Sequence, residues 1–186
     1  MKKQMIALAA ASTFAAVQAA ELPIDKDHTS VTFSIAHMVI SRVQGSFTEF
    51  DGSLSIEHGA LTGMNATVQI GSINTANARR DGHLKSDDFF DAESFPTMTF
   101  ESTSVADGKI TGNLTIKGVT REVTFDFTMQ GPATDPWGNV RHGLTATGTI
   151  NRTDFGLTWN QAIEAGGVLV GETVDITINT QVILPN

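Results

Sequence analysis

The sequence predicts an all-β domain, a single antiparallel β-barrel of about eight strands with one or two short helices. Two observations give the strands and a third favours the barrel. First, the apolar residues recur with a period of two. Val31, Phe33, Ile35, His37 and Val39 alternate with Thr32, Ser34 and Ala36. The alternation returns at Ala66, Val68 and Ile70, at Val123, Phe125, Phe127 and Met129, at Leu144, Ala146, Gly148 and Ile150, and at Val174, Ile176 and Ile178. Thr, Ser, Asn, Asp and Gln fill the positions between, as they do on strands buried on one face and wetted on the other. Second, Asp51-Gly52, His58-Gly59, Asp107-Gly108, Lys117-Gly118 and Trp137-Gly138-Asn139 punctuate these runs with the residues of tight β-turns. Third, the runs are long and mostly consecutive, and glycines recur inside them at Gly112 and Gly148, where a sheet can curl. A sandwich remains the alternative on pattern alone.

The elements follow in chain order. Met1-Lys2-Lys3, an apolar run from Ile6 to Val17 and Val17-Gln18-Ala19 have the layout of a secretory signal peptide, expected over residues 1–19. The barrel domain is expected over 20–186. The apolar run is too short for a stable membrane span, and no later segment approaches the ~20 apolar residues that a spanning helix needs. Removal of Lys2 and Lys3 would take the formal charge from −8 to −10. So acidic a chain does not suit nucleic acid or anionic lipid surfaces, whose phosphates call for clustered Lys and Arg. With no cysteine, thiol chemistry, disulfides and cysteine metal sites are excluded. Two stretches break the period of two and are expected to be short helices, about Ala78 to Phe90 and about Thr153 to Glu164.

An ordered set of segments then resembles one family. Asp27-His28-Thr29-Ser30-Val31-Thr32-Phe33 is followed by His37, Gly45-Ser46-Phe47 and Phe50-Asp51-Gly52. Ser72-Ile73-Asn74-Thr75 leads into Arg80-Asp81-Gly82-His83-Leu84, then Asp88-Phe89-Phe90-Asp91 and Phe95-Pro96-Thr97-Met98-Thr99-Phe100-Glu101-Ser102. Gly112-Asn113-Leu114-Thr115-Ile116-Lys117-Gly118-Val119-Thr120 and Asn151-Arg152-Thr153-Asp154-Phe155-Gly156 complete it. The set is similar to the YceI, or polyisoprenoid-binding, family. It departs at Thr29, where members commonly carry Ser, and the hydroxyl is kept. The resemblance implies an extended lipocalin-like barrel with a hydrophobic channel. It also implies a carrier of isoprenoid chains or related long amphiphiles, many of whose members are exported to the periplasm.

Candidate site residues fall into two groups. Phe33, Ile35, His37, Val68, Ile70, Met98, Phe100, Phe125 and Phe127 lie on faces expected to point inward, where they either fill the barrel or line a channel. Eleven Phe and no Tyr make the aromatic share of that lining free of hydroxyls. The second group sits in the dense polar stretch Arg79–Asp88. Arg79, Arg80, Asp81 and His83 could meet the polar end of a ligand, or could pair among themselves and pin the loop to the barrel. No catalytic motif is present: neither a Gly-x-Ser-x-Gly elbow nor a phosphate or dinucleotide loop occurs. His28 and His37 are too far apart along one extended run to share a metal, and His58 and His142 are expected in turns beside glycines. The expectation is a non-catalytic periplasmic protein with no cofactor beyond a bound lipid or isoprenoid, its partner a long-chain amphiphile, with a homodimer possible. A secreted hydrolase of a lipid or small ester, and a packed structural barrel, are the rival readings.

Overall fold

The structure is a computed structural model that describes residues 21–164 and 166–185; the expected signal peptide lies outside the described residues. The strands are β1 (Glu21–Pro23), β2 (Ser30–His37), β3 (Ser41–Phe47), β4 (Phe50–Glu57), β5 (Ala60–Gln69), β6 (Ile73–Asn74), β7 (Thr97–Ala106), β8 (Lys109–Ile116), β9 (Val119–Thr134), β10 (Val140–Asn151) and β11 (Val170–Ile183). One α-helix, α1 (Ala78–Lys85), follows β6.

All the strands belong to one curled antiparallel sheet, in the order β1-β4-β5-β7-β8-β9-β10-β11-β2-β3-β6. The fold class is as the sequence predicts, but eleven strands stand where about eight were expected. The difference has a local cause. β3 and β4 do not pair with each other; they are two consecutive runs interrupted at Thr48 and Glu49, the first on β2 and the second on β5. β1 and β6 are short additions at the two ends of the hydrogen-bonded order. The meander is brought round by β11, which lies along β2 from Val170↔His37 to Asn179↔Ser30.

The hairpins His58-Gly59, Asp107-Gly108 and Lys117-Gly118 turn with both residues at positive φ. That is the mirror-image turn whose twist matches the flanking strands. Asp51-Gly52 is no turn: both residues lie inside β4, and a Cβ on Gly52 would meet the Asn65 carbonyl oxygen at 2.5 Å. The alternation through β2 also stops earlier than the sequence suggests. Met38 and Val39 take positive φ, Met38 N–H donates to the Leu169 carbonyl at 2.8 Å, and Val39 is 78% exposed at the turn. The expected second helix is only a 3-10 turn at Arg152–Phe155; beyond it the chain runs without helix to the Ala162↔Val168 bridge. His142 is buried within β10, its Nδ1 3.2 Å from the Gln130 carbonyl oxygen, rather than in a turn.

The inward faces form two clusters. The larger one fills the base with Leu22, Leu54, Leu61, Ile110, Leu144, Ala146 and Val182. A smaller one of Phe47, Val68, Ile70 and Ile73 sits under α1, with Leu84 and Phe90 packed against it. At the base the N-terminal segment crosses from β4 to β11 through the Ile24↔Val182 bridge. Arg141 clamps this crossing, donating from Nη1 to Asp25 at 2.6 Å and from Nε to Asp135 at 2.8 Å. The guanidinium holds both carboxyl groups below the ordinary aspartate range.

Candidate functional site

The sheet encloses an apolar cavity of about 300 Å³ between β2, β11 and the segment around α1. That is the low end of the range for small-molecule sites. Its walls come from the inward positions of the alternating strands, so the period of two that builds the sheet also makes the cavity apolar. Of the residues expected to line a channel, Phe33, Ile35, His37, Val68, Met98, Phe100 and Phe125 do so. Ile70 does not. β5 ends at Gln69, the chain turns through a 3-10 helix at Ile70–Ser72, and the Ile70 side chain packs at 1% exposure into the small cluster. Phe127 does not either: it lies lower, opposite Ala146, and packs against the base.

Three phenylalanine rings of this lining rest on glycines of adjoining strands. A Cβ on Gly45 would come within 2.4 Å of the Phe33 ring, on Gly112 within 2.6 Å of Phe100, and on Gly148 within 2.6 Å of Phe125. The glycines let the rings lie flat against the wall instead of filling the interior. Phe100 and Phe125 meet edge to face at a centroid distance of 5.6 Å.

α1 and the turns after it cover one side of the cavity. Asn77 caps the helix, accepting from the Arg80 N–H at 3.1 Å. The sequence left Arg79, Arg80, Asp81 and His83 open between head-group contact and local pairing, and the structure separates them. Arg79 is exposed and does not line the cavity. Asp81 turns its carboxylate to Thr75, accepting from the backbone N–H at 2.9 Å and from Oγ1 at 2.5 Å. Arg80 donates from Nε to Thr75 Oγ1 and from Nη2 to the Thr75 carbonyl, both at 2.7 Å, while still contributing to the cavity wall. Asp81 and Arg80 therefore fasten the helix to the end of β6. His83 faces the cavity with its ring 4.8 Å from that of Trp159 and 5.0 Å from that of Phe89, and its Nε2 lies 2.9 Å from Asp88.

Trp159 and Arg152 are among the lining residues that the sequence-based set lacks. Trp159 follows the 3-10 turn, where the sequence predicts a helix. Arg152 is buried at 4% exposure in the wall, and burial pushes its guanidinium down from its ordinary value. The only sequence signal for it was the Asn151–Gly156 segment. Among the described residues, no three His, Asp or Glu side chains are placed to share a metal, and no helix is long and apolar enough to cross a membrane.

Known proteins share this fold. A family model described as a YceI-like domain matches residues 22–182. A UPF0312 protein of Staphylococcus aureus is 44% identical over 153 residues, covering 81% of this chain and 90% of its own. The crystal structure of a Campylobacter jejuni YceI protein superposes with a TM-score of 0.71 at 30% identity, covering 82% of this chain and 91% of that one. Burkholderia cenocepacia BcnA shares the fold with a TM-score of 0.73 at 21% identity, over 85% and 98% of the two chains. So does a polyisoprenoid binding domain from Saccharophagus degradans implicated in plant cell wall breakdown, with a TM-score of 0.68 at 14% identity, over 90% and 100%. With the family model spanning nearly all the described sheet and a relative at this identity, the chain belongs to the YceI-like family.

Proposed function

We propose that this protein is a non-catalytic lipid carrier, exported to the periplasm through residues 1–19, that sequesters the tail of an isoprenoid, quinone-like or fatty-acyl amphiphile. One observation carries the reading: a cavity walled by Phe33, Ile35, Met98, Phe100 and Phe125 inside a curled antiparallel sheet. Each methylene moved from water into such a space is stabilised by roughly 0.8 kcal/mol before the entropy of immobilisation is subtracted. A long chain is thus held without polar contacts along its length. The description of the Saccharophagus domain as polyisoprenoid binding supports the ligand class. The size of the cavity favours a carrier over a packed structural barrel.

The test is native mass spectrometry of the purified protein, followed by organic extraction and lipid identification. A stoichiometric amphiphile, or uptake of added isoprenoid, quinone or fatty acid, is the expected result. The mass of the bare polypeptide with no uptake of any of the three would overturn the reading.

A further inference from the structure

Arg152 has a surrounding that packing alone does not account for. Among the described residues it is the one Lys or Arg that is buried. The close pairs of Lys or Arg with a carboxylate among the described residues involve Lys26, Arg42, Lys109 and Arg141, all at more open positions. Arg152 has no such partner. Its Nε donates to the Gly171 carbonyl at 2.8 Å, its Nη1 to the Leu157 carbonyl and its Nη2 to the Val170 carbonyl at 3.4 Å. All three acceptors are neutral main-chain oxygens. The charge of the exposed Glu172 reaches it only at longer range.

Burying a cation without a counter-charge is expensive, and a protein that only needed to tie down the 157–171 loop could do so with a neutral donor. A guanidinium carries five N–H groups. Three meet the carbonyls, which fix the plane, and each terminal nitrogen keeps a second hydrogen. Those two donors are left for the oxygens of a carboxylate or phosphate. Arg152 is also placed at an end of the cavity. Its acceptor Val170 pairs with His37, the last residue of β2, and both line the space. From there the lining runs down past Ile35 and Phe33, which is the length a chain would follow.

We propose that Arg152 is the anchor for an anionic head group, so that the cavity selects amphiphiles whose long chain ends in a carboxylate or a phosphate. This rests on the carrier reading and narrows it. The bound oxyanion supplies the missing counter-charge, and the low-dielectric wall strengthens the pair relative to one on the surface.

The test compares matched ligands that differ only at the head: hexadecanoate with hexadecan-1-ol, and farnesyl phosphate with farnesol. Binding of all four is measured to the wild-type protein and to Arg152→Gln. The wild-type protein is expected to prefer at least one anion over its alcohol by tenfold or more, and the arm that shows it names carboxylate or phosphate. Arg152→Gln should bring that ratio close to one while alcohol affinity changes less than about threefold. Should the variant not fold, the wild-type protein still decides. The Nε–H resonance of Arg152 should move on titration with the preferred anion and stay put with its alcohol. A wild-type ratio near one in both arms, an unmoved resonance, or equal loss of anion and alcohol in Arg152→Gln would overturn the anchor. Alcohols that bind as well as the anions, or no binding of any of the four, would overturn the anchor alone; the carrier reading falls only on the mass-spectrometric result given above.

Discussion

The base of the barrel and the wall formed by β2 and the middle of β11 are written in the same alternating code, yet they bury their apolar faces differently. In β8, which runs from the base at Ile110 to the cavity lining at Leu114 and Ile116, the code reads through to the structure: Ile110, Gly112, Leu114 and Ile116 are buried while Lys109 and Asn113 are exposed. In β2 every residue from Ser30 to His37 is half-buried, and so is every residue of β11 from Val174 to Thr177. One face of this wall meets solvent and the other meets the cavity. A period of two therefore fixes which way a side chain points and leaves open what stands across from it. The base stabilises the molecule, and the wall is left free to take a guest.

The contrast can be broken by substitution. The largest effect belongs to the base: Ile110→Ala, at a residue with 0% exposure, should lower the unfolding free energy by about 2–5 kcal/mol in urea titrations. Lipid binding by the fraction that stays folded should change little. Phe33→Ala in the wall should lower stability by only about 1 kcal/mol and weaken long-chain binding by roughly tenfold. Equal destabilisation by the two variants would show that the wall is core after all. Gly45→Ala sharpens the point from the other side. Its methyl group displaces the Phe33 ring, so ligand uptake should fall while stability drops by about 1 kcal/mol.

Acid should act on the base and spare the wall. Asp25 and Asp135 are held below their unfolded values by Arg141, so they contribute stability that is present above about pH 4 and is lost as the pH falls further. Arg141→Gln should lower the urea midpoint at neutral pH, and the gap from the wild-type protein should narrow below about pH 4. A constant gap across that range would assign Arg141 to packing alone. The smallest effect is expected at the exposed Lys109–Asp126 pair, where Lys109→Ala should change stability by less than about 0.5 kcal/mol.

Much of the fold was legible because its signals are local. Asp107-Gly108 and Lys117-Gly118 announce turns, since their backbone conformation calls for glycine at the second position. Where the same signals failed, longer-range forces decided. Asp51-Gly52 stays extended because β4 is held between β1 and β5 on both edges. Val39 leaves the sheet through a turn that carries neither Gly nor Asn, so nothing in the local sequence marks it. The polar stretch at α1 was visible as a cluster, but which members face the cavity depends on Thr75, whose backbone and hydroxyl claim Asp81 and Arg80. Arg152 was hidden more deeply. A basic residue beside a turn reads as surface until Leu157, Val170 and Gly171 are folded over it.

The seam between β2 and β11 has a consequence for how the molecule is made. These two strands lie far apart in the sequence, so synthesis delivers β2 long before β11. Until β11 arrives, both β2 and β10 present bare edges of the kind that recruit other chains. Closure over so long a loop is slow compared with forming the neighbouring hairpins, and the nascent protein must spend that interval open. A chain cut short before Val170 would remain in that state, a curled ribbon with two adhesive rims and nothing to join them.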